Sequence, residues 1–199
     1  MADRFLTIAA RSEAIFKEKM SKFLAFAVPV VTRDEAKAVI AEYAKKYHDA
    51  RHVCWAFMLG ADRLDFLSSD NGEPSGTAGK PILGQINSFG LTNVVIVVVR
   101  YFGGIKLGTS GLIAAYREAA RLALDAAEIV EGFETTDLTA TFSYIAMNDI
   151  MKVLKNSTAT IVTQDFDNAC RIVARIRSGE AEALGSRLSA ASASVTANK

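Results

Sequence analysis

Cysteine and histidine are scarce, two of each in 199 residues. No C-x-x-C or H-x-x-x-H pair completes a ligand set, so no metal site is expected. Cys54 and Cys170 stand far apart in a chain that opens without a basic-plus-apolar leader, which argues against a disulfide framework and for the cytoplasm. Long hydrophobic runs are missing as well. The longest, Val94–Val99, falls far short of the roughly 20 residues that cross a bilayer, so no membrane partner is expected. Nor does charge of one sign dominate: 23 Lys and Arg face 22 Asp and Glu. Cutting the chain at Gly132 uncovers no hidden asymmetry, with 16 basic and 15 acidic residues before it and 7 of each from it onward. A nucleic-acid ligand therefore requires a local patch, not a basic domain or tail.

What is present is core-forming material, 50% hydrophobic, enough for one ordinary domain or two small ones without staples. Phe5–Ala10, Ala14–Lys19 and Phe23–Val30 read as short strands, expected to open the fold as a meander. Thr32 with Glu35 matches a capping box, and Ala36, Val39, Ile40, Tyr43 and Ala44 recur at helical spacing. Val53–Leu59 and Leu64–Ser68 read as a hairpin about a Gly60 turn, and Val94–Val99 as a central strand covered on both faces. A short helix is expected near Pro81 and a long one over Leu112–Ala127. From Gly132 the pattern restarts in the order βαββα, with a last short strand at Ser194–Thr196. Cys170, Ile172, Ala174 and Ile176 alternate with Arg171, Val173, Arg175 and Arg177, so one set faces a core and the other faces away. The expected organisation is an α+β chain of two domains, 1–131 and 132–199, the second ferredoxin-like.

Three stretches carry chemistry. In Asp70–Pro81, closely spaced Gly, Ser and Thr run into a helix start, where free backbone N–H groups and Lys80 suit an anion such as phosphate. The same composition also serves plain turn geometry, and Asp70 and Glu73 oppose an anion unless they face elsewhere. After the apolar strand comes Arg100-Tyr-Phe-Gly-Gly-Ile-Lys-Leu-Gly-Thr-Ser-Gly, again strand, glycine loop, helix. Counted from Gly103, a Walker loop requires Lys where Thr109 stands, and G-x-G-x-x-G is absent, so ATPase and dinucleotide readings fail. A cationic, aromatic lip remains, with Arg100, Tyr101, Lys106, Arg117 and Arg121, suited to stacking a base or holding phosphate. Arg117 and Arg121, one turn apart, also read as a solvated helix face. Third, His52 and Cys54 project to one side of a strand, close enough for a nucleophile with its base, or for packing alone.

Asp70-Asn-Gly-Glu-Pro-Ser-Gly-Thr-Ala-Gly-Lys-Pro and Val98-Val-Arg-Tyr-Phe-Gly-Gly-Ile-Lys-Leu-Gly-Thr-Ser-Gly-Leu closely resemble the YigZ/IMPACT signatures DDGEPSGTAGKP and VVRYFGGIKLGTGGL. Ser21-Lys-Phe and Ala50-Arg-His-x-Cys match too, so the resemblance covers the first domain. Asn71 replaces an Asp of the pattern, removing a carboxylate. Ser110 replaces a Gly, placing a side chain where positive φ is expected. The resemblance implies a ribosomal-protein-like α/β sandwich followed by a ferredoxin-like βαββαβ domain, both folds also found in an elongation factor. It implies translational control, since eukaryotic relatives restrain a starvation-responsive initiation-factor kinase through its activator, although they lack the second domain.

The expected function is a cytoplasmic, translation-linked binding protein contacting RNA, the ribosome or an associated protein through its glycine loops. The candidate binding residues are His52, Asp70, Glu73, Ser75, Thr77, Lys80, Arg100, Tyr101, Gly103, Gly104, Lys106 and Thr109. No catalytic residue and no cofactor is assigned. The alternative is a small hydrolase or phosphoryl-handling enzyme with Glu73 or His52 as base and the loops as anion cradle. A third reading makes Arg171, Arg175 and Arg177 a protein-contact face.

Overall fold

The computed structural model describes residues 3–166 and 169–198. The chain forms two compact units, one of residues 5–132, the other of residues 133–198 together with Asp3 and Arg4. In chain order the elements are β1 (Arg4–Ile8), β2 (Ser12–Glu18), β3 (Ser21–Pro29), α1 (Arg33–Lys46), β4 (His52–Leu59), β5 (Asp65–Ser69), α2 (Gly79–Ser88), β6 (Val94–Tyr101) and α3 (Gly108–Asp125). There follow β7 (Ile129–Phe133), β8 (Thr135–Phe142), α4 (Met147–Lys155), β9 (Thr160–Asp165), β10 (Cys170–Arg177), α5 (Ala181–Ala190) and β11 (Ser194–Asn198).

Five strands of the first unit pair antiparallel in the order β2-β3-β6-β4-β5. The β-branched run 94–99 lies at the centre with every residue buried, as its lack of alternation requires. Val94, Ile96 and Val98 pack with Ile82, Ile86, Tyr116 and Ala119 of α2 and α3. Val95, Val97 and Val99 pack with Ala36, Val39 and Tyr43 of α1, where Phe26 and Tyr43 stack with ring centroids 4.3 Å apart. Helices thus cover both faces. Thr32 caps α1 by accepting from the Glu35 N–H, while the Glu35 carboxylate accepts from the Val31 N–H. Ala44, expected on the inner face of α1, is exposed.

Two expectations are corrected. The opening meander does not form: β2 pairs with β3, but β1 leaves the sheet and pairs with β7. Backbone partners decide this, since the Thr92 N–H donates to the Leu6 carbonyl and the Ala9 N–H to that of Glu128. The long helix begins at Gly108, four residues before its apolar periodicity becomes visible. Gly108 enters it at φ +73°. Ser110 therefore lies in the first helical turn and does not have positive φ, so its side chain is accommodated there without backbone strain.

The second unit runs βαββαβ with strand order β11-β8-β10-β9, all antiparallel. This is the ferredoxin-like arrangement. Ile172 and Ile176 are buried with Ile150, Leu154, Leu184 and Leu188, whereas Arg171 and Arg175 are exposed on the other face. That arginine face is largely self-neutralised: Arg175 pairs with Asp137, and Arg177 pairs with Asp3 while its guanidinium lies 3.7 Å from the Phe133 ring centroid. The pairing accounts for two of the three arginines of that face.

Candidate functional site

At one end of the first unit's sheet the signature residues turn inward and hold one another. Arg100, the last buried residue of β6, sits in register with Phe23 of β3 and His52 of β4. Its Nη1 donates to Glu73 Oε1 at 2.7 Å, and the two side chains are 6% and 3% exposed. Its Nη2 reaches Ser21 Oγ at 3.4 Å, and the rings of Phe23 and Phe102 lie 5.5 and 5.6 Å from the guanidinium carbon. Tyr116 of α3 donates to the same Glu73 oxygen at 2.8 Å, and the Cys54 thiol lies 3.4 Å from the Tyr116 hydroxyl and 2.9 Å from the Asp70 carbonyl. A charge buried this deeply is tolerated only with such partners. Among the described residues, Arg100 Nε alone in this network lacks one.

Backbone devices bring the pieces together. Asn71 and Gly72, at φ +38° and +84°, make a two-residue hairpin-type turn closed by the Glu73 N–H donating to the Asp70 carbonyl at 3.0 Å. Asn71 Nδ2 donates to the Val53 carbonyl at 3.1 Å, which an Asp could not do. A second turn of this kind places Lys19 and Met20, neither of them glycine, at φ +44° and +67°. A Cβ on Gly103 would fall 2.0 Å from the Met20 carbonyl carbon, so only glycine passes there. The Gly103 N–H then donates to Ser21 Oγ at 3.2 Å.

The anion cradle expected before α2 is already filled. The Asp70 carboxylate accepts from the backbone N–H groups of Gly76, Ala78 and Gly79 at 2.8 to 2.9 Å, capping the helix from outside it. Burial works against its charge, but these N–H groups, with help from Lys80, hold the carboxyl below its usual range. A carboxyl with a lowered folded-state value stabilises the fold above about pH 4 and loses that contribution as pH falls through the folded value. Asp70→Asn should accordingly cost about 2 kcal/mol at neutral pH and flatten the acid side of a pH series of thermal melts. A variant with the parent's acid dependence would show that Asp70 is not the group responsible.

The other expected residues divide into inner and outer sets. His52 is half-buried, with Nδ1 3.0 Å from the Asn71 carbonyl, so that nitrogen carries the proton. Thr77 is buried and donates to the Pro74 carbonyl. Tyr101 donates to Asp49 on the α1 side of the sheet, away from the network. Ser75, Lys80, Gly104, Lys106 and Thr109 lie at the surface. Arg121 pairs with Glu118 and Asp125 of its own helix, the solvated-face arrangement.

This geometry bears on one of the two bases the enzymatic reading offered. Glu73 is shut away and committed to two donors, so it does not reach a substrate from solvent in this arrangement. Burial pushes the Cys54 thiol up to about 12, so it is neither a thiolate nucleophile nor a ready metal ligand at neutral pH. Among the described residues no cluster of three His, Cys, Asp or Glu could hold a metal ion. Among the described residues no helix is long and apolar enough to cross a membrane. Tyr116 and Ser21 were not among the expected residues. The signal for Tyr116 was a hydroxyl on the inner face of an alanine-rich helix, where it needs a partner.

Fold and site together define a two-unit α+β protein whose glycine-rich motifs close over an internal ionic network. Residues 19–124 match the Impact N-terminal domain. Over 91% of its length the chain is 32% identical to an IMPACT family member of Haemophilus influenzae, covering 90% of it. Over 82% it is 34% identical to IMPACT family member YigZ of Escherichia coli, covering 81%. Protein IMPACT of Rattus norvegicus shares 36% identity over 46% of this chain but only 30% of its own length. A solved structure titled as that of a hypothetical protein superposes with TM-score 0.80 at 29% identity, covering 100% of this chain and 99% of its own. The chain belongs to the IMPACT family.

Proposed function

We propose that this protein is a cytoplasmic, translation-linked RNA-binding protein whose contact surface is the outer lip of the site, residues 102–110 with the β2–β3 hairpin tip. The carrying observation is what the network leaves outside. Phe102 is 53% exposed just past the end of the central strand β6, with Lys106 four residues further on and Lys22 in register with Tyr101, both exposed. The first turn of α3 has no side-chain cap, and Thr109 and Ser110 there are exposed. An aromatic face for a base beside cations and free amides for phosphate suits single-stranded RNA. The buried network is then the support that fixes the lip, not the ligand's own contact. Family membership supplies the link to translation.

Fluorescence anisotropy with a short oligouridine at graded salt tests this. Lys106→Ala should lower the slope of log affinity against log salt by about 0.7, the share of one single-strand phosphate. Phe102→Ala should weaken binding by about 1–3 kcal/mol at an unchanged slope. Lys80→Ala should matter less, because Asp70 already faces that lysine. A parent protein that fails to bind at low salt would overturn the RNA reading and favour a protein partner.

A further inference from the structure

The second unit carries a groove that the RNA reading does not use. It lies between α4 and β9, encloses about 400 Å³, and is lined by Met151, Leu154, Ala159 and Ile161 with Lys152 and Lys155 at its rim. Leu154 is its buried floor and Ile161, 37% exposed, its outer wall. Every residue of β9 is exposed, and β9 is an edge of the sheet.

We propose that this groove docks an acidic protein segment carrying a bulky apolar side chain, the side chain entering over Leu154 and its carboxylates meeting Lys152 and Lys155. Charge selects this occupant. Both lysines are exposed, and among the described residues neither has an ion-pair partner. They stand in the last turn of α4, whose dipole offers about half a negative charge against their two positive ones, so the rim stays cationic. An apolar floor between cations favours an acidic segment over a nucleic acid, for the lining offers no aromatic ring on which a base could stack. Side chains, not strand addition, must supply the affinity. The register of β9 shifts opposite Val173 and Ala174, a bulge that interrupts the edge ladder a docking strand would extend.

The test uses the nitrogen-15-labelled full chain and an acetylated octapeptide with Leu-Phe between acidic triplets, read by amide shift changes. Shifts should concentrate in residues 147–155 and 159–165 and saturate with a dissociation constant near 1 mM or tighter. The same peptide with Gln for its acids, or with Gly-Ser for Leu-Phe, should bind several-fold more weakly. Lys152→Gln with Lys155→Gln should weaken the acidic peptide about fivefold, as expected for two exposed ion pairs, at an unchanged melting temperature. Equal binding of the uncharged peptide, or shifts confined to other surfaces, would overturn the proposal. So would groove shifts that appear with protein concentration alone, which would assign the groove to a second copy of the chain. Because RNA binding is read at residues 102–110, either proposal can fail without the other.

Discussion

Glu73→Ala should destabilise the first unit by about 3–5 kcal/mol, the most expensive single truncation at the candidate site. The alanine leaves Arg100 buried with Ser21 as its one remaining side-chain hydrogen-bond partner among the described residues, and it strips Tyr116 of its acceptor. An uncompensated charge at 6% side-chain exposure is the larger of these costs. Urea melts of the full chain, followed by the signal of Trp55 on β4, check the value. Pairing Glu73→Leu with Arg100→Met should recover most of the loss, since a buried ion pair replaced by apolar groups of similar size is often close to neutral. A single variant as stable as the parent would mean that the pair is not closed in solution. The thiol offers an independent reading: Cys54, protonated and buried in the parent, should react with thiol reagents far faster once Glu73 no longer holds Tyr116 over it.

The same network shows what a sequence can and cannot convey. Elements whose signal is local were legible: the unalternating run 94–99, the Thr32 cap and the strict alternation of 170–177 each state their environment in adjacent residues. The partnering of β1 was not, because β formation there is local but the choice between β2 and β7 rests on the Thr92 N–H and the Glu128 carbonyl, both more than 80 residues away. The early start of α3 was hidden since Gly108-Thr-Ser-Gly contains no strong helix former. For the site, the sequence supplied the right residues with the wrong direction. Asp70 and Glu73 beside a glycine loop look like charges that an anion would have to avoid. In the fold they are themselves the anions, one held by the N–H groups at α2 and the other by Arg100. Only the three-dimensional register of β3, β4 and β6 brings the acceptors and donors face to face, and no spacing rule encodes that register.

Ile172→Asp should unfold the second unit while leaving the first intact. Ile172 is fully buried, paired with Ala140 on β8 and Gln164 on β9, and enclosed by Ile150, Leu184 and Leu188. Among the described residues no buried cation lies in the second unit to meet a carboxylate, so the substitution adds several kcal/mol of desolvation to the lost apolar burial. A unit of this size has about 3–10 kcal/mol in total, at roughly 0.05–0.15 kcal/mol per residue. The expected result is loss of the dispersed amide signals of β8, β10 and α5, with those of β6 and α3 unchanged. Arg171→Gln, one residue away on the exposed face, should change stability by less than about 1 kcal/mol. This outcome would support the proposal that residues 132–199 form a domain of their own. If the aspartate variant instead lost the signals of both units together, the two would be one cooperative structure and the boundary near Gly132 would mark topology alone. If it melted like the parent, the register of β10 would be wrong.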